Sequence, residues 1–319
     1  MTSVGRWVEV HRLAVAGREA RIARDVGGRV GGMWLARSRF ADVARLAGMT
    51  LTLGQDARAL YQLGWAKTAT GDRTAALEYY GQALRLYRAA GDRGNEAATL
   101  NNLGEVYNRV GEPQRALEYY GQALPIRREV GNRAGEATTL NNIGAVYHGL
   151  GEPQRALEYY RQALPITREV GDRAGEAATL NNIGAVYHGL RDSQRALEYY
   201  RQALSITREV GDRAGEAVTL NSIGGVYNRV GEPQRALEYF GQALPIRQEV
   251  GDRAGEAVTR YNLAMIHRDQ GDLGRAVDEL EQVVELDRQV SHPDLQSDTE
   301  MLNRVRRELA DTNRGGGSR

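Results

Sequence analysis

The stretch from Gly171 to Val210, GDRAGEAATLNNIGAVYHGLRDSQRALEYYRQALSITREV, recurs about every 40 residues between Gly91 and Val250. A fixed period of this length limits the fold more than any other feature of the chain. Copies of one unit do not share a central core; each packs on its neighbours and the body grows by stacking. The copies Gly131–Val170 and Gly171–Val210 differ at only six positions (Asn132/Asp172, Thr138/Ala178, Gly151/Arg191, Glu152/Asp192, Pro153/Ser193, Pro165/Ser205), as after a recent duplication. A side chain on the free face of one unit therefore recurs on the next. Function is to be sought in ladders of equivalent residues and in the places where a ladder changes.

Within each unit, apolar and small residues return at spacings of three and four, the signature of amphipathic helices. Leu180, Ile183, Gly184 and Tyr187 form one stripe, and Ala196, Leu197, Tyr200, Ala203 and Leu204 a second, so each unit reads as two facing helices. The punctuation agrees. Gly151 suits the left-handed position that ends a helix, and Pro153 the first turn of the next, where a missing N–H costs nothing. Between units, Gly171 repeats the stop and the Asp172 carboxylate is placed to cap the following helix. Pro125, Pro165 and Pro245 fall late in the second helix and predict a kink there; Arg85 and Ser205 occupy the same place without proline, so the fold does not depend on it.

At Leu180-Asn181-Asn182-Ile183-Gly184-Ala185-Val186-Tyr187, followed by Ala196, Tyr200 and Ala203, the pattern resembles the tetratricopeptide repeat family, with small residues where paired helices cross and aromatics where they wedge together. It recurs at Gly104/Tyr107/Ala116/Tyr120, Gly144/Tyr147/Ala156/Tyr160 and Gly224/Tyr227/Ala236/Phe240, with weaker copies at Gly64/Ala76/Tyr80 and Ala264/Ala276/Leu280. The long unit with its Leu-Asn-Asn further resembles the subtype of kinesin light chains and of the sensor arrays of bacterial signalling (STAND-type) ATPases, although no ATPase sequence is present. The resemblance implies an all-α, right-handed superhelical solenoid of antiparallel helix pairs. It predicts about six repeats over 55–290, a degenerate helical cap over 1–54, a capping helix over 291–311 and a disordered tail over 312–319.

The cap is the least regular part. Gly27-Gly28 and Gly31-Gly32 interrupt a helix-like pattern and read as a flexible turn, because the run lacks the Gly-Lys-Ser/Thr ending of a phosphate-binding loop. Ala41–Thr50, ADVARLAGMT, looks like the opening of a helix-turn-helix, but LTLGQDARALYQLG offers a single arginine and a glycine where a recognition helix needs basic and polar side chains.

Composition removes several function classes. Lys and Arg number 42 against 41 Asp and Glu, so there is no bulk attraction to nucleic acid or anionic membrane. Cysteine is absent, which excludes disulfides, thiolate metal sites and a cysteine nucleophile and agrees with a cytoplasmic setting. The first residues carry charges every few positions, unlike a secretory signal, and no stretch approaches the ~20 apolar residues of a membrane span. No Ser/His/Asp set or carboxylate pair stands in a catalytic context. The chain is expected to be no enzyme and to hold no cofactor. His148 and His188 lack partners at ligand spacing, so no metal is expected.

By family resemblance, the free face of the first helices lines a concave groove for an extended protein or peptide segment. One ladder runs Asn101, Asn141, Asn181, Asn221 and its neighbour Asn102, Asn142, Asn182. Further on stand Asn108, His148, His188 and Asn228, flanked by Arg109 and Arg229. A carboxamide both donates and accepts, as a peptide backbone requires. Four such bonds at about 1 kcal/mol each barely offset the ordering of a flexible peptide. Additional anchors are therefore expected where the ladder breaks, at Tyr61, Trp65, Glu105, Tyr261 and Met265. The tyrosine pairs, such as Tyr159-Tyr160, are expected to pack one ring in their own unit and one against the next. The sequence thus predicts a peptide-binding scaffold or sensor in bacterial signalling. Its alternatives are a self-assembling structural protein, in which homo-oligomers form by repeat stacking, and a peptide-controlled DNA-binding regulator using residues 41–60.

Overall fold

The computed structural model describes residues 3–290 and 292–316, of which the side chains of 3, 315 and 316 are not described. These residues form sixteen α-helices and no strand. Three helices come first, α1 (Ser3–Ala16), α2 (Ala20–Leu35) and α3 (Phe40–Leu51). Six antiparallel pairs follow: α4 (Ala57–Ala69) with α5 (Arg73–Ala89), α6 (Arg93–Arg109) with α7 (Pro113–Glu129), α8 (Arg133–Gly149) with α9 (Pro153–Glu169), α10 (Arg173–Gly189) with α11 (Ser193–Val210), α12 (Arg213–Arg229) with α13 (Pro233–Val250), and α14 (Arg253–Asp269) with α15 (Leu273–Val290). The last helix is α16 (Leu295–Gly316). The chain divides into two compact units, Met1–Ile166 and Thr167–Arg319.

The first helices of the repeats begin and end for local reasons. Asp92, Asn132, Asp172, Asp212 and Asp252 each accept a hydrogen bond from the backbone N–H three residues on, capping α6, α8, α10, α12 and α14. The chain reverses through left-handed glycines such as Gly171 (φ 70°). Where the repeat replaces Gly151 by Arg191, the arginine takes the same conformation (φ 62°), which an L side chain adopts only at a cost. The helices run unbroken through Pro125, Pro165 and Pro245, so these prolines end nothing.

The pairs close on one contact, repeated. A Cβ placed on Gly184 would lie 2.7 Å from the ring of Tyr200, and one on Gly64, Gly104 or Gly144 would lie 2.6 Å from the ring of Tyr80, Tyr120 or Tyr160. The aromatic ring thus lies flush on bare backbone, and all four tyrosines are buried. The buried second tyrosine of a pair also reaches the next repeat, where the Tyr80 hydroxyl accepts from Asn102, while the first tyrosine stays in its own repeat. Tyr159 stacks on Tyr147 with centroids 5.5 Å apart, and Tyr119, Tyr199 and Tyr239 stack likewise on Tyr107, Tyr187 and Tyr227. Arg115, Arg155, Arg195 and Arg235 cover the outer faces of those first-helix rings, a cation–π arrangement.

Successive pairs within each unit are joined by buried carboxylates. Glu136 accepts from Arg128 at 2.7 Å and from Arg133; Glu176 and Glu216 accept from Arg168 and Arg173 and from Arg208 and Arg213. All three glutamates are buried. Each arginine pair comes from the preceding second helix and from the glutamate's own first turn, so the carboxylate does more than complement a helix dipole. Burial alone would raise these carboxyls, but the arginine hydrogen bonds outweigh it and hold them below the usual range.

The N-terminal run GGRVGG is not a flexible turn. It lies inside α2, with Gly27, Gly28 and Gly31 buried. A Cβ on Gly27 would meet Thr50 Oγ1 at 2.8 Å and one on Gly28 the Arg58 side chain at 2.7 Å, and Gln62 Nε2 donates to the Gly28 carbonyl at 2.8 Å. The glycines let α3 and α4 seat directly on α2. The segment Ala41–Thr50 lies within α3, with Val43, Leu46, Ala47 and Thr50 buried, and α4 is the first helix of the first pair. At the other end Leu302 and Val305 of α16 pack on Ala264, Ala276, Leu280 and Val284. That helix continues through Gly316, past the expected end at 311, so residues 312–316 are helical and not a disordered tail; 317–319 lie outside the described residues. No described helix is long and apolar enough to cross a membrane.

Two outcomes follow. Gly184→Ala must displace a fully packed ring and should destabilise by about 1–3 kcal/mol. The loss should appear first as faster amide exchange in α10 and α11, since repeat arrays open locally. Carboxyls held low by arginine stabilise the fold above their unfolded value of 4.5 and lose that contribution as pH falls through the depressed folded value. The melting temperature should therefore drop steeply below about pH 4.5, and Glu176→Gln should flatten that drop while lowering stability at neutral pH.

Candidate binding surfaces and family

In the first unit, Tyr61 and Trp65 lie one turn apart on α4, and Asn102, Glu105 and Arg109 follow at helical spacing on α6. Such spacing puts each set on one face. The two faces meet around a cavity of about 300 Å³, completed by Thr68, Ala69 and Tyr80. Asn102 Nδ2 donates to the hydroxyls of Tyr61 (3.0 Å) and Tyr80 (3.2 Å), fixing both rings. Tyr61 also meets Trp65 edge-on at 6.4 Å, yet the indole remains 43% exposed. Glu105 and Arg109 pair at 2.7 Å on the rim. Burial pushes the Tyr61 hydroxyl up, partly offset by the Asn102 bond, so it stays a neutral donor. A second cavity of about 550 Å³ opens on the other side of Tyr61 and Trp65, toward Arg58, Tyr87 and Asp92.

The asparagine ladder is not one surface. Asn101 is buried, and its Oδ1 accepts from Thr139 Oγ1 and Asn142 Nδ2, both at 3.2 Å. Asn221 Oδ1 accepts from Thr259 Oγ1 at 3.2 Å. These carboxamides join one pair to the next. Asn141 and Asn182 are half-buried. Asn181 differs: it borders a cavity of about 160 Å³ between α10 and α12, and its buried Oδ1 has no donor.

The outer row is open at Asn108, His148 and Asn228. His188 is half-buried, its Nδ1 has no partner, and burial, followed by the charge of Arg229, pushes its pKa down. Arg229 itself donates to the His188 backbone carbonyl. At the far end Met265 packs on the α14–α16 cluster, and so does Tyr261, which also borders a cavity of about 360 Å³.

The sequence reading overlooked Asp287. Its signal was present: the position reading Thr207 and Arg247 in successive repeats becomes a carboxylate in an otherwise apolar stripe, and Asp287 is only 1% exposed.

The family model for tetratricopeptide repeats matches residues 55–129, 95–169, 135–209 and 215–289. The chain belongs to the tetratricopeptide repeat family. Among solved structures, this tetratricopeptide chain is similar to BtubC (BKLC) from P. vanneervenii, with 25% identity, 79% of this chain and 93% of that one covered, and a TM-score of 0.54. It shares the fold of a Rap protein complexed with Competence and Sporulation Factor, at 17% identity, coverages of 97% and 98% and a TM-score of 0.62. The fold is also that of aspartyl phosphate phosphatase F from Bacillus subtilis, at 12% identity, coverages of 95% and 94% and a TM-score of 0.62. A search of curated proteins finds no match.

The two kinds of asparagine in these tetratricopeptide repeats are separable by measurement. Asn101→Ala removes the acceptor of Asn142 Nδ2, while Thr139 keeps its bond to the Gly135 carbonyl, and should cost about 1 kcal/mol, whereas Asn108→Ala on the open row should stay within about 0.5 kcal/mol of the parent. Denaturant titration of the two variants side by side checks this.

Proposed function

We propose that the chain is a non-catalytic scaffold or sensor that captures a protein or peptide segment, working in bacterial signalling in the cytoplasm. The observation that carries this reading is the cavity at the α4–α6 faces. Five residues singled out in the sequence converge there: Tyr61, Trp65 and Glu105, where the ladder breaks, Arg109 from the flank of the outer row and Asn102 from the ladder itself. A fixed, half-exposed indole beside a prearranged tyrosine is what an anchor pocket offers, because rigid aromatics bury much area at little entropic cost. The rim pair Glu105–Arg109 adds polar contacts that suit a peptide backbone or a charged neighbour of the anchor side chain. The Rap protein solved with Competence and Sporulation Factor offers a precedent for this fold holding another molecule. Within the same unit, the open row at Asn108 and His148 supplies further contacts, whereas Asn101 serves the scaffold itself.

The test starts from peptides selected against the full chain from a random library. Trp65→Ala should weaken the selected peptides about thirty-fold, the scale of a ~2 kcal/mol hot spot, with helicity unchanged by circular dichroism. Equal affinity for the parent and Trp65→Ala would remove the cavity from the binding site.

A further inference from the structure

The cavity enclosed by α14, α15 and α16, about 360 Å³ in volume, has two unlike ends. One is a wall of Ala257, Val258 and Tyr261. The other gathers Asp287, His292, Asp294 and Asp298. Asp287 is 1% exposed, and its Oδ2 has no hydrogen-bond partner. The imidazole Nδ1 of His292 is 3.9 Å from the other oxygen and 3.8 Å from Asp294. A buried carboxylate oxygen without a donor is costly. Among the described residues no arginine pairs with it: Arg268 is engaged by Glu308 at 2.6 Å and Arg288 leans on Glu285 at 3.8 Å.

The same slot occurs two repeats earlier with different chemistry. There the cavity is about 160 Å³ and is lined by Asn181, Thr207, Asp212 and Val218. By repeat position these correspond to Tyr261, Asp287, His292 and Asp298. Asp212 is used up capping α12. Moving to the end of the array, a hydroxyl and an isopropyl group have become two carboxylates, a carboxamide has become a ring, and the space has more than doubled. Packing on α16 accounts for the ring of Tyr261 but not for the two carboxylates.

We propose that the α14–α16 slot binds the guanidinium group of an arginine side chain from a partner peptide, held by the adjoining carboxylates of Asp287 and Asp298 with its methylene stem along Val258 and Tyr261. A planar guanidinium donates in two directions at once and matches paired carboxylates. The ring of Tyr261 adds a face for the cation and the stem. A metal ion fits less well, because among the described residues no group of three or more His, Asp or Glu side chains is arranged to ligate one. Without a guest, the pair's alternative is a proton. Burial, then the contact with Asp287 and the negative charge of Asp287 and Asp294, push the Asp298 carboxyl up to about 6, with His292 opposing. Tyr261 faces the slot from α14, and Arg304 acts on that ring from α16. The cation takes the place of the shared proton, so capture strengthens as pH rises through that value. The inference deepens the binding reading but stands on Asp287 and not on Trp65.

N-acetyl-L-argininamide, titrated into the full chain by NMR, should bind saturably and at least about tenfold tighter than the neutral isostere N-acetyl-L-citrullinamide. Its affinity should fall about tenfold from pH 7.5 to pH 5, where a carboxyl titrating near 6 is ionised in roughly one molecule in ten. Asp298→Asn, at a half-buried site, should cause a similar loss at pH 7.5; it keeps the test valid should Asp287→Asn fail to fold. Trp65→Ala should leave argininamide binding unchanged, which separates failure of this slot from failure of the α4–α6 cavity. Equal binding of the two probes, no binding of either, an Asp298→Asn chain that binds as the parent does, or competition by calcium chloride beyond its ionic-strength effect would each overturn the proposal.

Discussion

The fold depends on one contact, an aromatic ring laid on bare backbone. Where Tyr200 meets Gly184 there is no room even for a methyl group, and the same exclusion operates between Gly224 and Phe240, where an added Cβ would lie 2.8 Å from the ring. Close approach of two helices needs a small residue on one of them, and a large ring then fills the space beside the crossing point. Because the contact recurs in the five pairs from α4–α5 to α12–α13, those pairs are set at the same spacing, and side chains elsewhere on their first helices inherit a regular position. The binding candidates are regular for this reason and not because any ligand demands it.

Regular pairs still have to be attached to one another, and here polar groups do what apolar burial cannot. Apolar faces slide at little cost, whereas a buried carboxylate bridging two arginines has one geometry that satisfies all three charges. Glu136, Glu176 and Glu216 occupy this role, together with Asn101 and Asn221. The last full copy weakens the device: Glu256 takes its arginine from Arg260 of its own helix and a glutamine, Gln248, from the preceding one. Polar joints fix register between repeats, and their dilution toward the end of the array leaves α14 free to be shaped by α16.

Most of the architecture was legible because helix-pair physics writes itself into sequence with period and punctuation. The stops at Gly151 and Gly171, the caps at Asp172 and Asp212 and the small-against-large pairing were all readable from residue type alone. Three things were not. Gly27, Gly28 and Gly31 look the same in a turn as in a helix that must be approached closely, and only the partners Thr50, Arg58 and Gln62, distant in sequence, distinguish the two. Asn101 and Asn108 carry the same carboxamide, and their opposite fates are decided by Thr139 and Asn142 of the next pair. The stacked rings of Tyr147 and Tyr159 required knowing that both tyrosines of a pair turn inward.

Divergence toward the ends has a cause in packing. A repeat flanked by two others of its own unit, as α6–α7 and α12–α13 are, must suit two neighbours at once with any change on its faces. A terminal repeat meets a different partner on one side, α2 and α3 at the beginning and α16 at the end, and that freedom is where chemistry can accumulate. The slot that holds Thr207 in an interior repeat holds Tyr87 beside α2 and α4 and Asp287 beside α16. The first lines a space of about 160 Å³, and the terminal versions line about 550 and 360 Å³. Space and unusual side chains arise together at the caps because only there is the stacking constraint lifted on one side. On the binding role proposed above, selectivity belongs to the ends of the array and is set by the helices that close it.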